Sequence, residues 1–155
     1  MILFINTASS EIITLALLNK KGEILAKKNI PAKYKQSEKL LVGIDKLIGG
    51  QKNLKKLTGI IAVKGPGSFT ALRIGLTTAN TMAFGLKIPV VGVTDGELGK
   101  IVKEGLEKLK GSIKGRLNQR SVKEGMVKLG KAKVGSYVMP EYGLEPNITI
   151  KRDKQ

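Results

Sequence analysis

A continuous apolar run, Gly59-Ile60-Ile61-Ala62-Val63, breaks at Gly65-Pro66-Gly67-Ser68 and passes into a long helical stretch from about Phe69 to Leu86. A second apolar run, Ile88 to Val93, follows. A strand that is apolar throughout must be covered on both faces. The chain therefore needs a sheet with helices packed on its faces.

The flanking segments agree with that demand. Residues 2–6 read as a short buried strand ending at the polar turn Thr7 to Ser10, residues 11–18 as a second strand, and residues 23–30 as a third with weak alternation. Short turns, one of them Lys20-Lys21-Gly22, make these three an antiparallel meander. Ser37 then stands as an N-cap with Glu38 in the first turn, where the helix dipole favours an anion. Leu40, Leu41, Ile44, Leu47 and Ile48 follow at helical spacing until Gly49-Gly50 stops the run. A third helix is expected from Gly96 to Leu109. The order is βββαβαβα, an α/β chain with a mixed five-stranded sheet.

The chain has 155 residues, which suits one domain and not two. With 41% apolar residues it should fold despite a net charge of +16. It has no His and no Cys, so imidazole bases, thiol nucleophiles, disulfides, Cys/His zinc sites and HExxH metallopeptidase chemistry are excluded. The apolar start, Met1 to Ile5, is too short for a signal peptide or a membrane span, and a cytoplasmic protein without membrane contact is expected. Charge this strongly basic fits a polyanionic partner, although a Lys-rich surface also serves solubility alone. Residues 1–99 and 100–155 each carry 14 basic and 6 acidic residues, so the second part is the denser cation. Residues 111–133 hold seven Lys/Arg, one acid and four Gly, which reads as a linker or loosely packed arm. The expected organisation is a folded domain over 1–109, a basic Gly/Lys-rich arm over 110–135 and a tail over 136–155.

Three stretches carry a family resemblance. Gly65-Pro66-Gly67-Ser68-Phe69-Thr70-Ala71-Leu72-Arg73-Ile74-Gly75, Ile88-Pro89-Val90-Val91-Gly92-Val93 and Ser37-Glu38-Lys39-Leu40-Leu41 resemble the TsaB (YeaZ) family. The end, Val138-Met139-Pro140-Glu141-Tyr142-Gly143-Leu144-Glu145-Pro146-Asn147-Ile148-Thr149, is similar to the tail of its compact members. The resemblance implies a ribonuclease-H-like, actin-like ATPase domain and an accessory role in bacterial tRNA threonylcarbamoyladenosine synthesis. Four departures stand out. Asn6-Thr7 replaces the usual Asp-Thr, Gln36 stands where a His commonly precedes Ser-Glu, Ala71 replaces a Gly, and the second actin-like subdomain has shrunk to the arm.

In the ATPase relatives the acid at the end of the first strand organises a metal and its attacking water. Asn6 is neutral, attracts Mg²⁺ weakly and accepts no proton, which argues against hydrolysis. The loop Gly65, Pro66, Gly67, Ser68, Thr70 sits where backbone amides can hold a phosphate, yet it lacks the Walker A ending and the GxGxxG spacing. A phosphate cradle and a purely structural tight turn both fit it.

The following helix shows two stripes. Leu72, Leu76, Ala79, Ala83 and Leu86 make one; Ala71, Gly75, Thr78, Met82 and Gly85 make another, about 100° around. The first suits the sheet, while the second, of mostly small residues, admits another helix at close range. That helix is either the chain's own first helix or a partner's. The resemblance implies a partner surface built from Leu40, Leu41, Ile44, Ala71, Arg73, Gly75, Thr78 and Met82. Arg73, one turn into the helix and against its dipole, is expected to find an acidic contact. Asp45 and Glu38, seven apart, are surface charges rather than an acid-base pair.

The function expected from the resemblance is a non-catalytic scaffold with no catalytic residue, no metal site and no cofactor of its own. ATP and Mg are expected on partner subunits: a TsaD-like catalytic subunit, a TsaE-like ATPase and a TsaC-type supplier of the carbamoyladenylate. tRNA is met through the complex or through the basic arm, and the chain pairs with itself or with TsaD. The alternatives are a nucleotide-binding actin-like phosphotransferase, for which Asn6 is the discriminating residue, and a direct tRNA-binding module.

Overall fold

The computed structural model describes residues 1–121 and 137–142, with residues 113–121 as backbone alone. Its elements are β1 (Ile2–Asn6), β2 (Ile12–Leu18), β3 (Ile24–Pro31), α1 (Gln36–Ile48), α2 (Gln51–Leu54), β4 (Gly59–Gly65), α3 (Phe69–Leu86), β5 (Val90–Thr94) and α4 (Leu98–Ser121). The sheet order is β3-β2-β1-β4-β5. β1, β2 and β3 pair antiparallel as the meander requires, and β4 and β5 run parallel to β1. The mixed five-stranded sheet expected from the sequence is thus present.

Alternation along the strands builds two cores. Leu3, Ile5, Ile13, Leu15, Leu17, Ile60, Ala62 and Val90 face α1 and α3, against Leu40, Ile44, Ile48, Leu76, Ala79 and Ala83. Ile2, Phe4, Ala16, Leu18, Ile61, Val63, Val91 and Val93 point the other way, onto Ile101, Val102, Leu106 and Leu109 of α4. The period-two pleat sends neighbours to opposite faces, so the apolar runs in β1 and β4 serve both layers. β3 is the exposed edge, and its charged Lys27 and Lys28 protect it from further pairing.

The boundaries differ from the sequence reading in three places. Ser37 is not the N-cap of α1: the helix begins at Gln36 after Lys35, with no side-chain cap, and Gln36 is buried. Its amide donates to the Ser9 carbonyl at 2.7 Å, a tertiary bond at the first residue of a helix that starts two residues earlier than expected. The short α2, between Gly50 and Leu57, carries too few apolar residues to show a period. α4 runs on to Ser121, so the boundary set at Leu109 falls inside a helix. The glycines there lowered helix propensity but did not end the helix. The remainder of the arm, 122–135, and most of the tail, 143–155, lie outside the described residues. Among the described residues no helix is long and apolar enough to cross a membrane.

Candidate functional site

The carboxyl ends of β1, β4 and β5 meet at one end of the sheet, beside the start of α3. In an open sheet with parallel strands this end is the usual place for a ligand. Asn6, the last residue of β1, is fully engaged: its Oδ1 accepts the Ala8 amide at 2.8 Å, and its Nδ2 donates to Asp95 Oδ1 at 2.9 Å. Asp95 follows β5, and its backbone N–H donates to the Gly65 carbonyl at 2.8 Å. The sequence reading did not single out Asp95. Its position, just past an apolar strand that ends at the site, is the signal that finds it.

The loop from Gly65 to Ser68 lies tightly on the segment after β1. Ser68 N–H donates to the Ala8 carbonyl at 2.8 Å. A Cβ on Gly67 would sit 2.5 Å from that same oxygen, and one on Gly75 would sit 2.1 Å from Thr7 Oγ1. Gly65, at φ +134, admits the Glu141 carbonyl so closely that a Cβ would lie 2.0 Å from it. Pro66 has no N–H and Ser68 has spent its own. The geometry is therefore a close-packed turn around Thr7 and Ala8.

A cation finds little here. Among the described residues no three of His, Cys, Asp and Glu gather at one point. Asp95 supplies a single carboxylate, and Asn6 adds one neutral amide oxygen that also accepts from Ala8. A hard divalent ion needs several free oxygen ligands, so these residues do not fit one.

Residues 137–142 run along α3 as a strap. Asn80 holds Val138 through both backbone groups, its Oδ1 accepting from Val138 N–H at 3.1 Å and its Nδ2 donating to the Val138 carbonyl at 3.0 Å. Glu141 N–H donates to the Lys64 carbonyl at 2.6 Å, and the two side chains form an ion pair. Tyr142 stacks on Phe69 with centroids 4.3 Å apart, and its hydroxyl accepts from Arg73 Nε at 2.9 Å. The Arg73 guanidinium also lies 4.2 Å over the Phe69 ring. Among the described residues Arg73 makes no acidic contact: two aromatic rings and a phenol hydroxyl receive it instead.

The other expected interface residues divide by burial. Leu40, Ile44, Ala71 and Gly75 are buried within the chain, because α1 packs beside α3 on the same sheet face and Thr7 fills the space beside Gly75. They line no open surface. Thr78 and Met82 are half-buried, and Leu41 and Arg73 are exposed. Val42 and Phe84, which the sequence reading passed over, are exposed on the same two helices.

Comparison with known proteins joins these observations. The family model described as tRNA N6-adenosine threonylcarbamoyltransferase, TsaD, matches residues 30–98. The tRNA threonylcarbamoyladenosine biosynthesis protein TsaB of Bacillus subtilis is 49% identical over 41 residues, 26% of this chain and 18% of that protein. TsaB of Buchnera aphidicola is 36% identical over 63 residues, 40% of this chain and 30% of that protein. The tRNA N6-adenosine threonylcarbamoyltransferase of Geotalea daltonii is 48% identical over 40 residues, 26% of this chain and 12% of that protein. Among solved structures, YeaZ from Pseudomonas aeruginosa superposes with a TM-score of 0.53 at 29% identity, over 61% of this chain and 43% of that one. Each match spans less than half of the relative. These partial likenesses make the chain similar in sequence to TsaB and in structure to YeaZ.

Proposed function

We propose that this chain is a non-catalytic scaffold that binds a TsaD-like subunit in the threonylcarbamoyladenosine modification of tRNA, at the adenosine beside the anticodon. The observation that carries the reading is Asn6. At the strand end where an ATPase relative needs a free acid, the chain has an amide whose two polar atoms are both committed, to Ala8 and to Asp95. The pathway comes from the curated relatives, two of which are named for it. ATP and Mg belong on the partner subunits, with a TsaE-like ATPase joining the assembled complex.

The surface for the partner is the outward side of α1 and α3. Leu41, Val42 and Phe84 are each more than half exposed on these two neighbouring helices, with Thr78 and Met82 half-buried between them and the core. Exposed apolar groups of this size on adjacent helices fit a helix-on-helix interface. A second copy of the chain fits the same face. Sedimentation of the purified protein mixed with the TsaD-like protein of the same genome tests the reading. A one-to-one complex, lost in a Leu41→Glu/Phe84→Glu variant, is expected. If the two proteins sediment separately, the scaffold reading fails.

Asp95 favours one other reading, a nucleotide-binding phosphotransferase of the actin-like group, since it places a carboxylate at the strand ends. Calorimetric titration with Mg-ATP separates the two: micromolar binding with turnover establishes the enzyme, and the absence of heat leaves the scaffold.

A further inference from the structure

The opposite end of the sheet carries a different surface. There the start of β1, the β2–β3 turn, the α2–β4 connection and the middle of α4 converge. The Met1 carbonyl accepts from Thr58 N–H at 2.8 Å, and the Met1 amino group donates to the Lys56 carbonyl at 2.9 Å. Burial, and then the charge of Lys20, push that amino group below its usual pKa. Lys20 and Lys110 line a cavity of about 400 Å³ whose walls are Ile2, Leu106, Leu109 and Thr58. Lys21, Lys55 and Lys56 are sequence neighbours of these groups. All five lysines are exposed, and among the described residues none is in an ion pair. The acids nearest along the chain are Glu23, held by Asn19, and Glu107.

We infer that this pole is a phosphate-backbone docking surface for RNA, with Lys20 and Lys110 closing on one phosphate at the mouth of the cavity. The inference rests on the reading above only in taking tRNA as the RNA concerned. Lysine is depleted from the cores of protein interfaces, whereas ammonium groups on phosphates carry most of the sequence-independent affinity of nucleic-acid binding. Among the described residues the cavity is lined by no aromatic ring and no arginine, the side chains that anchor most protein interfaces. With no aromatic ring on the cavity wall, it reads backbone and not base sequence.

The test uses the full chain and an unmodified tRNA transcript. Binding is followed by filter retention from 50 to 300 mM salt for wild type, for Lys20→Glu/Lys55→Glu/Lys110→Glu, and for a control with the same charge change on the edge strand and its exit, Lys27→Glu/Lys28→Glu/Lys35→Glu. Loss of three lysines that cover about two phosphates predicts at least a tenfold weaker association near 0.1 M salt and a salt slope shallower by about 1.5. The control should change less than threefold. Equal loss in both variants, an unchanged pole variant, no retention of tRNA by wild type, or competition by polyglutamate as effective as by RNA would each overturn the inference. Should the charge reversals prevent folding, Lys20→Gln/Lys55→Gln/Lys110→Gln reads the same loss at smaller size. Sedimentation with the TsaD-like protein, run on the same samples, keeps the two proposals apart: the pole variant should still form that complex.

Discussion

The two ends of this sheet treat their polar groups in opposite ways. Where β1, β4 and β5 finish, Asn6, Asp95, Gly65 and Ser68 are bonded to one another and to Ala8, and the glycines there admit backbone within van der Waals contact. Where β1 and β4 begin, Lys20 and Lys110 line a cavity and are in no ion pair among the described residues. A group already satisfied by the fold contributes to structure; an exposed charge without a partner contributes to encounter with something outside. The difference separates strand ends whose polar groups the chain itself satisfies from a surface facing outward.

The comparison breaks most visibly at Gly75. A Cβ there would meet the buried Thr7 side chain, so Gly75→Val should destabilise by about 3 kcal/mol or more and lower the melting temperature by about 10 °C. On the same helix Gly85 has nothing within 4 Å, and Gly85→Ala should instead raise stability by about 0.5–1 kcal/mol. Thermal unfolding followed by circular dichroism reads both signs, and equal effects would show that the strand-end packing is not tight. Next in size is Asn80→Ala, which leaves the Val138 N–H and carbonyl without their side-chain partner. A loss of about 1–2 kcal/mol is expected, together with faster proteolysis between Tyr137 and Tyr142.

Much of this fold was legible because the sheet imposes it. The apolar run at 59–63 and the helix behind Gly65-Pro66-Gly67 serve cores on both faces of one sheet, and only a few arrangements do that. Asp95 was harder to find, because its place just past an apolar strand gains meaning only from the parallel register that sets the end of β5 near Asn6. The same holds for the aromatic partners of Arg73, since Tyr142 lies 69 residues away and reaches it only through the strap. The expected interface residues divide between buried and exposed for a related reason. Helical spacing reports which positions share a stripe, but burial of Ala71 and Gly75 is decided by Thr7 and by α1, neither of which the period of α3 contains.

Asn6→Asp sharpens the strand-end half of the comparison. It keeps the oxygen that accepts from Ala8, removes the donor to Asp95, and sets two carboxylates at a contact distance of 2.9 Å. Like charges raise the folded-state pKa of one of the pair, so the penalty is present at neutral pH and fades as the pH falls through that raised value. A cost of about 1 kcal/mol at pH 7, smaller near pH 4, is expected at this partly exposed site. Denaturant midpoints measured at both pH values read it. Recovery of the pH 7 stability on adding Mg²⁺ would show that one further acid rebuilds a cation site, and would move the balance toward the phosphotransferase.

The smallest effect belongs to the other end. Lys20→Glu/Lys55→Glu/Lys110→Glu lowers the net charge from +16 by 6, to +10, and touches side chains that are exposed and unpaired among the described residues. Stability should change by less than about 0.5 kcal/mol. Its sign follows from self-repulsion: a chain with this excess of cations is strained most at low ionic strength, so the variant should melt at or slightly above wild type in about 10 mM salt, with the difference gone by about 0.3 M. A variant that melts well below wild type at every salt concentration would mean that these lysines hold the fold together after all, and the contrast between a self-satisfied end and an outward-facing end would collapse. A flat stability beside a large loss of RNA retention is what an outward-facing surface requires.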